Sequence, residues 1–435
     1  MVDNNRPRQR LQNRGTTRKS KVMHPLFEDL ADAPLQGSCR TIEPAETLRK
    51  VQPLLRLAGI TRVANVTGMD TVGIPTVIVS RPNSRSLSVS QGKGTDLTAA
   101  KVSGIMESIE HWHAERIDRP LRLAALHDLA GRARVVEVNR LPPFVQRYEP
   151  SDRILWIEGV DVMGSDSLWV PYEMVHLDLT LPLPEGSGRF MMGSNGLASG
   201  NHALEALCHG LCEVIERDAT TLFYLLPASL QWQRRLNLDS VTDPACRALL
   251  DAFERAGVDV AVWNTTSDVG VPSFLCSILD GTANAWHSVG LARGAGCNPV
   301  PAAALARALT EAAQSRLTRI VGSRDDMQRE EFELLQGDVK RELHRAQMAC
   351  PDVPPCQLEA EALVDTRAGL RQVVSWMCER IRSVGAGPVI AVDLSRPTLP
   401  IAVVRTIVPG LEALSEVRGY QPGRRARRLS AELSA

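Results

Sequence analysis

Three stretches of the chain alternate apolar and polar positions with a helical period, and each places acids on a face of its own. In residues 88–118, Ile105, Met106 and Ile109 supply an apolar side. Ser103, Glu107 and Glu110 follow one another at i, i+4 and i+7, which stacks a hydroxyl and two carboxylates turn over turn. Residues 202–224 predict a second helix with Glu205, Glu213 and Glu216 on one face and Arg217 beside them. Residues 299–321 predict a third, carrying Glu311, Gln314 and Arg316 after a Pro-rich start. Elsewhere the pattern predicts a helix at 41–58 stopped by Gly59, and strands in TRVANVTG and IPTVIVSRP joined by a turn at Gly68–Gly73. A strand is expected at 134–138, and a hairpin in ILWIEGVDV and SLWVPYEMVHLDL around Gly164. A helix near 240–256 precedes strands at 258–263, 273–279 and 285–292. Polar helix at 325–358, broken by Pro351, Pro354 and Pro355, leads to a helix at 359–383 and strands at 387–393 and 400–408. The expectation is an α/β protein of mixed sheets, with a hint of internal duplication in the repeated loop-plus-helix.

Acids on one helix face repel unless something positive lies between them. Hard oxygen ligands suit Mg2+, although a solvated face explains any one of these helices equally well. What separates the readings is recurrence. Each helix follows a Gly-rich run: SQGKGT, then GSNGLASGN (193–201), then GLARGAGCNP (290–299). Read as turns, these would offer backbone N–H groups and helix N-termini to anions while the carboxylates hold cations. The combination describes a nucleotide triphosphate held by metal ions. Glu107, Glu110, Glu213 and Glu216 are the expected Mg2+ ligands, with Glu205 as an outer member. Lys93, Ser103 and Asn195 are expected to position the nucleotide, and Arg217 to neutralise charge on the transferring phosphoryl group. Glu311, Gln314 and Arg316 would close the site, although Arg316 could simply pair with a neighbouring acid.

Composition narrows the alternatives. The 435 residues are 44% apolar and 23% charged, the balance of a globular protein. Fifty basic residues balance fifty acidic ones, and aromatics are only 4%, so neither charge nor stacking platforms point to nucleic acid. No apolar run reaches a membrane-spanning length. Residues 1–40 read as a basic, disordered extension without a secretory signal, 41–410 as the globular domain, and 411–435 as a polar basic tail. Nine cysteines, odd in number and without a framework, are expected to be reduced, which places the protein in the cytoplasm. Cys208 and Cys212, near His202 and His209, would suit a soft metal, but buried small apolar thiols explain them better. His111 and His113 read as structural residues.

Conventional motifs fail. Around Lys93, Gly94 stands where a P-loop needs Ser or Thr, and Leu87 where its first Gly would be. No GxGxxG, GxSxG or HExxH is present in a supporting context.

SxxxExxE (Ser103, Glu107, Glu110), ExxER (Glu213, Glu216, Arg217) and ExxQxR (Glu311, Gln314, Arg316) resemble, in order, the three signature motifs of the YcaO superfamily. The resemblance extends over roughly residues 40–410, and the run RPNSRS (81–86) is most similar to the branch encoded beside TfuA partners. It implies a YcaO-like fold and ATP- and Mg2+-dependent activation of a peptide backbone amide. A nucleophile adds to the carbonyl, ATP phosphorylates the resulting oxygen, and phosphate leaves. A Cys, Ser or Thr side chain as nucleophile yields an azoline; sulfide yields a thioamide. Azoline-forming members often end in a Pro-rich carboxylate tail, whereas this sequence ends in RRLSAELSA and carries no recognisable leader-binding domain. The expectation is therefore a thioamide in a peptide or protein substrate, made with a TfuA-like sulfur-delivery partner. The alternatives are an azoline cyclodehydratase and a non-catalytic nucleotide-binding assembly factor. No nucleic-acid or membrane partner is expected, and a homodimer is the default for a soluble enzyme.

Overall fold

A computed structural model describes residues 23–27, 39–142, 148–164, 166–281, 289–327, 338–349, 355–358, 365, 369–417 and 419–434. Two three-stranded antiparallel sheets are built alike. Strands β1 (Arg62–Asn65), β2 (Thr76–Ser80) and β3 (Val89–Lys93) form one, in the order β1-β2-β3. The other consists of β8 (Val258–Asn264), β9 (Ser273–Asp280) and β10 (Ala292–Cys297), paired in the order β10-β9-β8. Between them in sequence lie β4 (Leu121–Ala124), β5 (Ile154–Asp161), β6 (Ser167–Pro171) and β7 (Leu197–Gly200). These join β11 (Ile390–Asp393) and β12 (Ala402–Ile407) in a sheet ordered β4-β5-β11-β12-β7, with β6 pairing β5.

The described helices are α1 (Pro44–Val51), α2 (Leu97–Ala114), α3 (Leu126–Leu129), α4 (Ala203–Leu225), α5 (Ala228–Gln233), α6 (Pro244–Arg255), α7 (Pro301–Val321), α8 (Asp338–Ala349), α9 (Leu370–Ser383) and α10 (Arg424–Ser434). The three long acid-bearing helices α2, α4 and α7 start where the pattern placed them. Asp96 caps α2 by accepting from Ala99 N at 2.9 Å. His202 does the same for α4, its Nδ1 accepting from Glu205 N at 3.2 Å, and Pro301 opens α7. No described helix is long and apolar enough to cross a membrane.

The Gly-rich runs are not turns cradling an anion. They are largely strands: SQGK ends β3, LASG is β7, and ARGAGC is β10. Their glycines let each strand lie directly on the helix that follows it. A Cβ on Gly92 would sit 2.0 Å from Ala100 O, one on Gly200 2.6 Å from Ala206 N, and one on Gly294 2.2 Å from Ala312 N. The facing helices answer with small residues, Ala100 and Gly104 on α2, Ala206 and Gly210 on α4, and Ala304, Ala308 and Ala312 on α7. Close approach of backbone to backbone is what the glycines supply. The N-termini of α2 and α4 are capped by the side chains of Asp96 and His202 instead.

Other expectations are corrected by where the chain pairs. Residues 134–138 hold only an isolated parallel bridge, Val135 to Trp169, and the strand of that region is β4. Of the strand expected at 285–292, residues 285–288 lie outside the described residues, 289–291 are not strand, and the described strand begins at Ala292. Of the helix at 325–358, α8 is described. Of that at 359–383, α9 is described, and most of 359–368 lies outside the described residues. The basic extension at 1–40 is described only at 23–27, 39 and 40. There Met23, Phe27 and Cys39 are buried against Leu204, Leu207 and Leu211 of α4 in one apolar core. Those residues belong to the folded domain, because their side chains are apolar enough to be buried with it.

The segment after 410 is likewise not a solvated tail. Asp218 of α4, 0% exposed, accepts from Glu412 N at 2.9 Å and pairs with Arg425 of α10 through Nε (2.9 Å) and Nη2 (3.0 Å). Glu412 in turn accepts from Gly423 N (2.8 Å) and Ala426 N (2.9 Å) at the start of α10. Buried charge met by paired donors fixes this segment against α4.

Candidate functional site

Each of the three acid-bearing helices rests one small-residue face on its strand and turns another towards a shared cavity of ≈ 1090 Å³. Helix α2 contributes Ser103, Glu107 and Glu110, α4 contributes Glu205, His209, Glu213, Glu216 and Arg217, and α7 contributes Arg307, Glu311 and Gln314. Lys93 at the end of β3 and Asn195, just before β7, complete the lining expected from the sequence. The motif residues are brought together from more than two hundred residues of chain, with one exception.

That exception is Arg316. It lies off the cavity, buried, with Nε 2.9 Å from Asp70 Oδ2 and Nη1 2.7 Å from Asp280 Oδ1. It ties α7 to the loop after β1 and to the end of β9. The catalytic role expected for Arg316 is therefore replaced by a structural one, since its cation is already matched by two buried carboxylates. Glu205 reaches the lining but is 1% exposed, and it meets Arg40 Nη1 at 2.8 Å and Thr41 Oγ1 at 3.2 Å. Its carboxylate is already met by a cation and a hydroxyl, which sets it apart from the expected Mg2+ ligands.

The remaining carboxylates lack such full compensation. Burial pushes Glu107 up to about 7, although Lys93 and the N–H of Gln91, 3.4 Å from Oε2, oppose it. Burial also raises Glu110 to about 8, against donations to its Oε1 from Ser199 Oγ (2.6 Å) and N (2.8 Å), with Glu107 and Glu213 adding repulsion. Glu216 is raised to about 7, again first by burial, with Arg217 opposing and Glu311 adding to the shift. Glu213 is raised by burial in spite of Arg217, whose Nη2 lies 3.6 Å from its Oε1. Glu311 behaves differently: burial raises it, but Lys93 and Arg217 outweigh that and hold it below the usual carboxyl range. Arg217, facing Glu216, Glu213 and Glu311, is held even more firmly charged in spite of its burial. A group of desolvated acids raising one another is a site short of positive charge.

Four glutamates in this condition fit a hard divalent cation. Among the described residues, no three His, Cys, Asp or Glu side chains converge as a ready-made metal cage. The carboxylates instead ring the cavity, a geometry suited to ions shared between protein and the oxygens of a bound polyphosphate. Cys208 and Cys212 are buried, as expected of structural thiols.

Several lining cations escaped sequence reasoning, Arg307 and Arg405 among them. Arg307 lines the cavity from α7, one turn before Glu311. Arg405 lines it from β12; it is 2% exposed, with Nε donating to Met174 O at 2.8 Å and Nη2 donating to Gly193 O. Burial lowers Arg405 to about 10, with Glu213 opposing. The signal that could have found it is an arginine within the otherwise apolar run IAVVRTIV, where a charge needs a reason to be buried.

Comparison with known proteins gives the family. The family model of YcaO cyclodehydratases, described as ATP- and Mg2+-binding, matches residues 91–412. A Rhizobium leguminosarum bv. trifolii protein of the tfuA 3′ region is 35% identical over 396 residues, 89% of this chain and 92% of that protein. A Methanothermobacter thermautotrophicus protein is 33% identical over 89% of this chain and 98% of its own length. Among solved structures, YcaO from Methanopyrus kandleri bound with AMPPCP and Mg2+ has a TM-score of 0.67 at 26% identity, covering 89% of this chain and 96% of that one. A heterocyclase in complex with substrate and cofactor shares the fold, with a TM-score of 0.74 at 22% identity; the likeness covers 94% of this chain and 57% of that larger one. The chain belongs to the YcaO family of ATP- and Mg2+-binding, peptide-modifying proteins.

Proposed function

We propose that the cavity binds ATP with Mg2+, that sulfide from a TfuA-like partner adds to the carbonyl of a peptide backbone amide, and that ATP phosphorylates the resulting oxygen, which leaves as phosphate and gives a thioamide. The observation that carries the ATP reading is the ring of desolvated, mutually repelling carboxylates Glu107, Glu110, Glu213 and Glu216, with Arg217 among them. When bound, ATP supplies the phosphoryl group that converts a poor oxygen leaving group into phosphate, and Mg2+ shields the charge on the phosphates. The four glutamates would hold the metal ions. Arg217 stays charged beside them and would neutralise charge on the transferring phosphoryl group, and Lys93 is held in place by Glu311. Ser103, Asn195 and Gln314 orient the nucleotide, and Asn195 Oδ1 is buried with no hydrogen-bond partner among the described residues.

In the overall exchange sulfide replaces the amide oxygen, and that oxygen departs on phosphate while ADP is released. The thioamide outcome is supported by the relative from the tfuA 3′ region. The family's description as cyclodehydratases favours a second reading, in which a Cys, Ser or Thr side chain attacks and an azoline forms. Mass spectrometry separates the two after incubation of a candidate peptide with ATP, Mg2+ and sulfide, with and without the TfuA-like partner. Exchange of oxygen for sulfur supports the thioamide; loss of one water supports the azoline; an unmodified peptide with no ATP consumed contradicts both.

A further inference from the structure

The volume of the cavity exceeds that of a typical pocket for one small ligand, about 300–1000 Å³. One part of its wall differs in chemistry from the acidic ring. Met174, Met191 and Met192 all line it, brought to one corner because Arg405 holds the carbonyls of Met174 and Gly193 together. Arg405 Nη1 is buried and has no hydrogen-bond partner among the described residues. Unbranched thioether side chains around a fixed, unsatisfied N–H donor suit a ligand that is apolar yet presents a carbonyl oxygen.

The same corner continues to the surface through the chain itself. Between Met174 and Met191 a loop carries Leu179, Leu181 and Leu183, exposed by 48%, 83% and 39%. Both of its feet are fixed. Leu179 N donates to Arg85 O at 2.8 Å, two residues before Leu87 of the cavity lining, and Glu173 accepts from Arg189 N and Phe190 N at 3.0 Å each. Three leucines held in water on a loop anchored at the cavity rim are costly unless something apolar covers them.

We propose that this leucine loop and the methionine corner form one track for an extended peptide. Its aliphatic side chains cover the leucines and enter the methionine corner, and a backbone carbonyl beside the reacting amide accepts from Arg405. The inference rests on the amide-activating reading and assigns its substrate class: peptides with aliphatic residues flanking the modified position. Binding of hexapeptides that share a Gly-Cys centre, flanked by Leu and Met, by Ser and Gly, or by Glu and Lys, tests it. The full-length protein is read on an array of these peptides, with and without Mg2+ and a non-hydrolysable ATP analogue. The expected result is retention of the Leu/Met peptides over the others by about tenfold, lost both in a Leu179→Asp, Leu181→Asp, Leu183→Asp variant and in Met191→Glu. The loop leucines are exposed, so the triple variant is expected to melt like the wild type even if Met191→Glu does not fold. No retained peptide, no aliphatic preference, or a preference unchanged in the triple variant overturns the proposal. Affinity for the ATP analogue is measured separately on the wild type. Its absence alongside an intact aliphatic preference sinks the ATP reading and leaves the peptide track standing.

Discussion

Two arginines of the motifs, Arg217 and Arg316, meet opposite fates, and substitution tells them apart. Arg316→Met would strand Asp70 and Asp280, both nearly fully buried, and is expected to lower stability by about 3–5 kcal/mol in a denaturant titration. Arg217→Met faces a cavity in which acids can take up protons, so it is expected to cost less stability while reducing ATP turnover by about 10²-fold or more. Equal losses of stability would contradict the assignment. The raised carboxyls carry a pH dependence. Glu107 and Glu216 near 7 and Glu110 near 8 hold protons in the folded chain that the unfolded chain has already released. The ligand-free protein should therefore be most stable, as far as these groups decide it, below the ordinary carboxyl range, and should lose stability as pH rises towards about 8. Affinity for Mg2+-ATP should rise over the same interval, since protons compete for the same oxygens. Melting and nucleotide titrations across that range check both signs, and Tm rising with pH in the ligand-free protein would contradict the first.

At the scale of elements, the sequence was legible where chemistry follows local period. Glu107 after Ser103, Glu110 after Glu107 and Arg217 after Glu216 are set by helix geometry, so α2, α4 and α7 and their cavity faces could be read from spacing. The glycines were misread because the same composition serves a turn and a close crossing. Only the partner distinguishes them, and Gly92 meets Ala100 eight residues later across a strand–helix contact. Gly92→Ala should accordingly unfold or severely destabilise the protein, by about 3 kcal/mol or more. Gly68→Ala, with nothing within 4 Å of its added methyl, should be tolerated. A soluble Gly92→Ala protein with wild-type Tm would contradict the packing described. The Asp70–Arg316–Asp280 cluster was beyond reach because its partners come from distant segments that no period links, and for Arg405 only its burial, not its partners Met174 and Gly193, was legible.

At the scale of the whole molecule, α4 connects the cavity to the C-terminal segment. Arg217 faces the acids, and the next residue, Asp218, holds Arg425 and the N–H of Glu412. Leu411, Glu412 and Ala413 also line the cavity, so the end of the chain forms part of its wall. Arg425→Ala should lower Tm clearly, whereas Arg428→Ala, whose partner Glu432 lies on the surface, should leave it within about 1 °C. The proposed function has three helices from distant parts of the chain building one Mg2+-ATP site. It is tested most directly by calorimetric titration of the purified protein with a non-hydrolysable ATP analogue, with and without Mg2+, beside Glu213→Gln. Mg2+-dependent binding to the wild type that is lost in a folded Glu213→Gln protein is the predicted result. No nucleotide binding under either condition, or equal binding by the variant, would contradict it.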